Sequence, residues 1–144
     1  AYQVAGDTNQ NGKLTLGENT ADNGGLRLAL MALKNRAGGD AALARKDTNG
    51  VTAEQKLFYG WASVWCSSSK PENERLRAQT DPHSAPRHRV NGTVANMPEF
   101  AKAFNCQPTD KMVRGDKACK QQAFTQALQS RRGTVAKPVI ISQT

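Results

Sequence analysis

Two acidic residues one helical turn apart, Glu18 and Asp22, stand in the run Gly17-Glu18-Asn19-Thr20-Ala21-Asp22-Asn23-Gly24-Gly25. At that spacing both carboxylates fall on one helix face. The pair suits a metal site in which one carboxylate binds the ion and the other orients a neighbouring ligand. It equally suits a helix start, where the dipole favours acids. The same glutamate closes a second pattern, Asp7-Thr8-Asn9-Gln10-Asn11-Gly12 through Glu18. Asp7, Asn9, Asn11, Gly12 and Glu18 satisfy every specified position of a calcium loop, in which alternate oxygens and a bidentate glutamate surround the ion. Two of the three early ligands are Asn, only six residues precede the loop, and no second loop follows, because Asp47-Thr48-Asn49-Gly50 brings its glycine too early. Calcium binding is therefore the alternative reading, that of a non-catalytic module.

Other chemistry is sparse. His83 and His88 are the only histidines, and on local context alone each reads as a surface-loop residue. The three cysteines, Cys66, Cys106 and Cys119, are too far apart for zinc knuckles. Their odd number leaves a free thiol, an intermolecular bond, or partners on sequence outside this chain. The net charge of +8 is concentrated towards the end, where Lys111, Arg114, Lys117, Lys120, Arg131, Arg132 and Lys137 face Asp116 alone. A polyanion partner is one reading of such charge, and a solvated face is the plainer one. No stacking-aromatic motif or helix-turn-helix pattern accompanies it, so nucleic acid is not an expected partner.

The elements that must position these residues are mainly helical. At 144 residues one domain is expected, with no apolar run approaching the ~18 residues of a membrane span and no signal-peptide character in the opening ten. Residues 1–17 read as loop. The periodicity predicts a helix over 20–36, with Leu26, Leu30 and Leu33 inside, Leu28 and Met31 widening the stripe, and Gly38-Gly39 as the stop. A second helix is expected over 52–67, opened by a Thr52–Gln55 capping box and burying Leu57, Phe58, Trp61, Val64 and Trp65. Pro71 opens a short charged helix. Residues 80–89, with two prolines, read as loop, and 96–104 as a helix capped by Asn96. A last helix is expected over 116–130, followed by a strand or tail.

The motifs taken together say more than any one. Gly-Glu-Asn-Thr-Ala-Asp-Asn-Gly-Gly at 17–25, Leu-Phe-Tyr-Gly-Trp-Ala-Ser-Val-Trp-Cys at 57–66, the run from Thr80 to Cys106, and Asp-Lys-Ala-Cys-Lys at 116–120 occur in order. This series resembles the neprilysin-like zinc metalloendopeptidases (neprilysin, endothelin-converting enzyme and bacterial oligopeptidases) over about three quarters of the chain. The resemblance implies a mainly α fold, the C-terminal helical part of a thermolysin-like metallopeptidase catalytic domain, over 1–119. Residues 120–144 would be an extension of unknown role.

By the same resemblance Glu18 is the third zinc ligand, binding through a carboxylate oxygen at ~2.0–2.2 Å. Asp22 hydrogen-bonds a ligand histidine. His83 stabilises the oxyanion of the tetrahedral intermediate, with Asp81 orienting its ring, and Arg89 holds a substrate backbone carbonyl. Val64 and Trp65 belong to the apolar pocket for the residue after the scissile bond, although plain core packing accounts for them equally. Cys66, Cys106 and Cys119 match cysteines bonded to upstream segments. The family takes its other two zinc ligands and its general base from H-E-x-x-H, which this sequence lacks. The single zinc ion would need two histidines from an upstream part, and the chain alone is expected to be inactive. Peptide substrates and that upstream part are the implied partners, with any membrane anchor also upstream. The implied location is extracytoplasmic.

Overall fold

The computed structural model describes residues 2–118. The helix expected over 116–130, beyond its first three residues, the tail after it, the extension over 120–144 and Cys119 lie outside the described residues. Within them the order is a small antiparallel hairpin, β1 (Gln3–Ala5) and β2 (Thr8–Asn9), then six helices: α1 (Leu16–Ala37), α2 (Asp40–Leu43), α3 (Ala53–Val64), α4 (Pro71–Thr80), α5 (Pro86–Val94) and α6 (Pro98–Ala103). A 3-10 turn follows at Gly115–Lys117. The mainly α expectation holds. The first 15 residues are more ordered than expected, because Gly6, at φ 59°, turns the hairpin where a side chain would be strained.

Helix α1 begins four residues before the expected start, so Glu18 lies in its first turn, where the dipole favours a carboxylate. Thr15 precedes it, hydrogen-bonding the Asn11 carbonyl with its hydroxyl and accepting from the Asn19 side chain. Gly38 closes it in the left-handed conformation at φ 88°, as the Gly-Gly stop implied. Leu26 and Leu30 are buried while Leu28 is exposed, so the apolar stripe is narrower than its sequence pattern.

The Thr52–Gln55 capping box forms in full. Helix α3 then ends at Val64, three residues before the expected boundary, and Lys70 is extended (ψ 144°) ahead of Pro71. This end exposes Val64 to 72%, which corrects its placement inside. On a helix, neighbouring side chains diverge by about 100°, and Phe58 already marks the inward face.

Two further expectations are corrected. Of the stretch 80–89 only 81–85 is loop, because Thr80 ends α4 and Pro86 starts α5 at a first-turn position that needs no donor. Asn96 does not cap the next helix. Met97 precedes it without a side-chain cap, since the Asn96 side-chain oxygen accepts from Arg114 while its NH2 donates to the Asn23 side chain and the Gly92 carbonyl.

The core gathers Leu26, Leu30, Leu43, Phe58, Val94 and Met97. Phe58 meets Phe100 edge-on at 5.3 Å and Phe104 at 6.2 Å. His88 packs its ring flat on Tyr2 at 4.7 Å and contacts the Gln3 carbonyl, tying the hairpin to α5, rather than standing free in solvent.

Two outcomes follow from this packing. Phe58→Ala should cost about 3–5 kcal/mol in urea unfolding, whereas Leu76→Ala on the exposed face should stay within about 0.5 kcal/mol. Burial of His88, with a smaller contribution from Arg87, lowers its pKa below the ordinary value of 6.5. The unfolded chain then takes up a proton more readily than the folded one, so stability is lost as pH falls through that value. The drop in Tm between about pH 7.5 and 5.5 should shrink in His88→Phe, which keeps the stack without the titration. Equal drops in both proteins would contradict this account.

Candidate active site

Towards its N-terminus the face of α1 that carries Leu26 and Leu30 turns polar and meets the chain from Ala78 to Asn96. Its anchor is a doubly hydrogen-bonded ion pair. Arg89 donates from Nε and Nη2 to the two carboxylate oxygens of Asp22, each at 2.6 Å. Both residues are nearly buried, at 8% and 7% exposure. Around this pair, Ser84 donates to Asn19, Gln10 accepts from the Ala85 amide, and Arg27 donates to the Asn96 carbonyl. Each of these contacts joins the N-terminal segment or α1 to the 80s and 90s of the chain, so the site is assembled by the packing of α5 on α1.

Glu18 lies one turn from Asp22. Its Oε2 is 3.3 Å from His83 Nε2 and 3.6 Å from Arg89 Nη2. Unlike the Asp22–Arg89 pair, the Glu18 and His83 side chains are open to solvent, at 42% and 43%. His83 comes from the bend between α4 and α5. Its Nδ1 is 2.8 Å from Asp81 Oδ1, and its backbone N–H donates to the same oxygen at 2.9 Å. That backbone hydrogen bond, with others from the His83 ring and Arg77, holds the Asp81 carboxyl down at about 2. An ionised Asp81 can only accept, so Nδ1 of His83 carries a proton and Nε2 is the atom turned to Glu18. A cavity of about 220 Å³ opens beside His83, lined among others by Gln10, Ser68, Arg77 and Pro86.

Four of the residues singled out in the sequence, Glu18, Asp22, His83 and Arg89, thus meet in one cluster, with Asp81 behind His83. Trp65 joins them in a way the sequence did not indicate. The Arg89 guanidinium carbon sits 3.8 Å from the centre of its ring. Val64, expected beside Trp65, points away into solvent. Asp22, expected to face a ligand histidine, has both oxygens on Arg89, each keeping a second acceptor position. Its partner stands 67 residues away, and only folding shows it. Cys66 is exposed and Cys106 half-buried, and neither forms a disulfide within the described residues.

Asp7 is at the hairpin turn, Asn9 ends β2, the Asn11 side-chain oxygen accepts from the Leu14 amide, and Glu18 faces His83.

Comparison with known proteins matches these residues to one family. The sequence profile of peptidase family M13 matches residues 1–120. Neprilysin-1 of Caenorhabditis elegans is 44% identical over 117 residues, covering 78% of this chain and 15% of its own length. Endothelin-converting enzyme 1 of Mus musculus is 44% identical over 111 residues, covering 77% of this chain and 14% of its own. Among solved structures, the zinc metalloprotease Zmp1 of Mycobacterium tuberculosis, in an open state, superposes with a TM-score of 0.69 at 34% identity, over 76% of this chain and 17% of that one. The chain thus spans about a seventh of the length of the curated relatives it matches. With the profile covering the whole cluster and relatives well above 30% identity, this chain belongs to peptidase family M13, the neprilysin-like metallopeptidases, and its helices are the helical part of their catalytic domain.

Proposed function

We propose that this chain is the part of a zinc-dependent endopeptidase that supplies the third metal ligand, Glu18, the oxyanion donor, His83, and the substrate clamp, Arg89. The observation that carries the reading is the convergence of Glu18 Oε2 on both His83 Nε2 and Arg89 Nη2 from three separate stretches of sequence. A carboxylate left half open to solvent between an imidazole and a guanidinium is suited to an external ligand.

The donor set decides what the chain does by itself. A catalytic zinc site takes three protein ligands and keeps one open position. Among the described residues no group of three or more His, Cys, Asp or Glu could hold a metal. Glu18 therefore fits as one ligand of a site completed by histidines outside this chain, and the residues present do not make a zinc site alone. When bound, zinc supplies Lewis-acid polarisation of the scissile carbonyl.

The chain's own residues act around that centre. Asp81 accepts the Nδ1 proton of His83 and fixes the ring, so that Nε2–H in the protonated form is directed at charge developing on the carbonyl oxygen. Arg89, held along one edge by Asp22, offers its remaining donors to a substrate backbone carbonyl. Asp22 keeps acceptor capacity for a ligand histidine. Cys66, Cys106 and Cys119 pair with upstream cysteines, the substrates are small peptides, and the parent enzyme works outside the cytoplasm. No helix among the described residues is long and apolar enough to cross a membrane.

The 144-residue chain alone should show no chelator-sensitive cleavage of a quenched fluorescent peptide, and no zinc binding tighter than that of an exposed carboxylate pair. Robust zinc-dependent turnover would overturn the assignment of the missing ligands to another segment.

In a peptidase containing this chain, three variants separate the roles. His83→Ala should lower kcat by roughly 10²–10³ with little change in KM, since an oxyanion donor acts in the transition state. Arg89→Ala should raise KM, because a clamp on the substrate backbone already acts in the ground state. Both should keep their zinc, and Glu18→Ala should lose it. A His83→Ala enzyme lacking zinc, or retaining full kcat, would show the role to be misassigned.

A further inference from the structure

Trp65 caps the C-terminus of α3, with its backbone N–H on the Ala62 carbonyl. Its indole Nε1 is buried and, among the described residues, has no hydrogen-bond partner. The ring is thus placed by its faces and edges rather than by its donor. Trp61, one turn earlier, meets it edge-to-face at 5.8 Å and 70°. Against the face of the Trp65 ring lies the Arg89 guanidinium, 3.8 Å from its centre.

Two constraints act on Arg89, and they differ in direction. Asp22 binds the Nε–Nη2 edge and fixes the group within its own plane. An edge-on pair still allows that plane to swing about the line joining the two groups. A flat aromatic surface in van der Waals contact removes the swing, and the ring quadrupole attracts the cation to it. Among the described residues Nη1 has no hydrogen-bond partner, so it is the donor left for something external.

We propose that Trp65 is a positioning residue for Arg89: its indole face sets the guanidinium plane while Asp22 holds one edge, and together they direct Nη1 at the substrate. This rests on the reading of Arg89 as the substrate clamp. It adds to Trp65 a role in holding Arg89, on the ring face that the guanidinium covers.

The test uses the ¹⁵N-labelled 144-residue chain and the side-chain NMR signals of Arg89, assigned by their loss in Arg89→Lys. In the unmodified chain the Arg89 Nε–H should be shifted upfield by the indole ring current, and the Nη1 and Nη2 signals should be resolved by slow rotation. Trp65→Phe should keep them resolved with a smaller ring-current shift. Trp65→Leu should abolish the shift and lower the Arg89 Nε–H heteronuclear NOE as the plane is freed to swing, while Asp22 keeps Nη1 and Nη2 resolved and the backbone signals of Leu26 and Leu30 stay in place. Absence of the upfield shift and of slow rotation in the unmodified chain overturns the proposal without any variant. So does a Trp65→Leu chain whose Arg89 Nε–H heteronuclear NOE is unchanged.

In a peptidase containing this chain, Trp65→Leu should raise KM in step with Arg89→Ala, and Trp65→Phe should restore it. If Arg89→Ala raises KM while the Arg89 Nε–H heteronuclear NOE is unchanged in Trp65→Leu, the clamp stands and the platform falls. If the NMR signature is present but Arg89→Ala leaves KM unchanged, the clamp falls, and the positioning role with it.

Discussion

The buried pair between Asp22 and Arg89 is the constraint on which the rest of this arrangement depends. A guanidinium and a carboxylate removed from water lose several kcal/mol of hydration each, recovered only by close, doubly hydrogen-bonded contact. The pair therefore contributes little net stability while it is intact. Loss of one partner is another matter, because it strands a buried charge at a cost of about 3–5 kcal/mol. This asymmetry locks α5 to α1 in one register. His83, held by Asp81 at the bend before α5, is then brought against Glu18.

A single helix is asked to do two kinds of burial. One side of α1 places Leu26 and Leu30 in the apolar core with Phe58, Val94 and Met97. One turn earlier the same face buries polar groups, Asp22 and Asn23, and each must find a partner or lose its hydration uncompensated. Asn23 finds Asn96, and the neighbouring Arg27 finds the Asn96 carbonyl. The polar seam is what specifies the position of residues 83–96. Hydrophobic contact tolerates small slides, whereas a set of paired donors and acceptors does not.

Exposure divides the cluster by task. The pair that positions is buried, and the groups proposed to meet metal and substrate, Glu18 and His83, remain nearly half accessible. The chain spans about a seventh of the length of the family relatives it matches.

The sequence alone determined the helical class, the capping box at Thr52 and Gln55, the stop at Gly38 and the start at Pro71, because each depends on residues within a few positions of one another. Four motifs in order also marked the family and the candidate residues. The contacts among those residues were decided by tertiary structure. Asp22 takes Arg89, Asn96 abandons a cap for Asn23, His88 lies on Tyr2, and Arg89 covers Trp65. Val64 and Trp65, adjacent in sequence and expected together, part at the end of α3. Periodicity records which side of its own helix a residue occupies. A partner dozens of residues away is chosen only when two helices pack and each buried polar group has to satisfy its hydrogen bonds or remain unfolded in water.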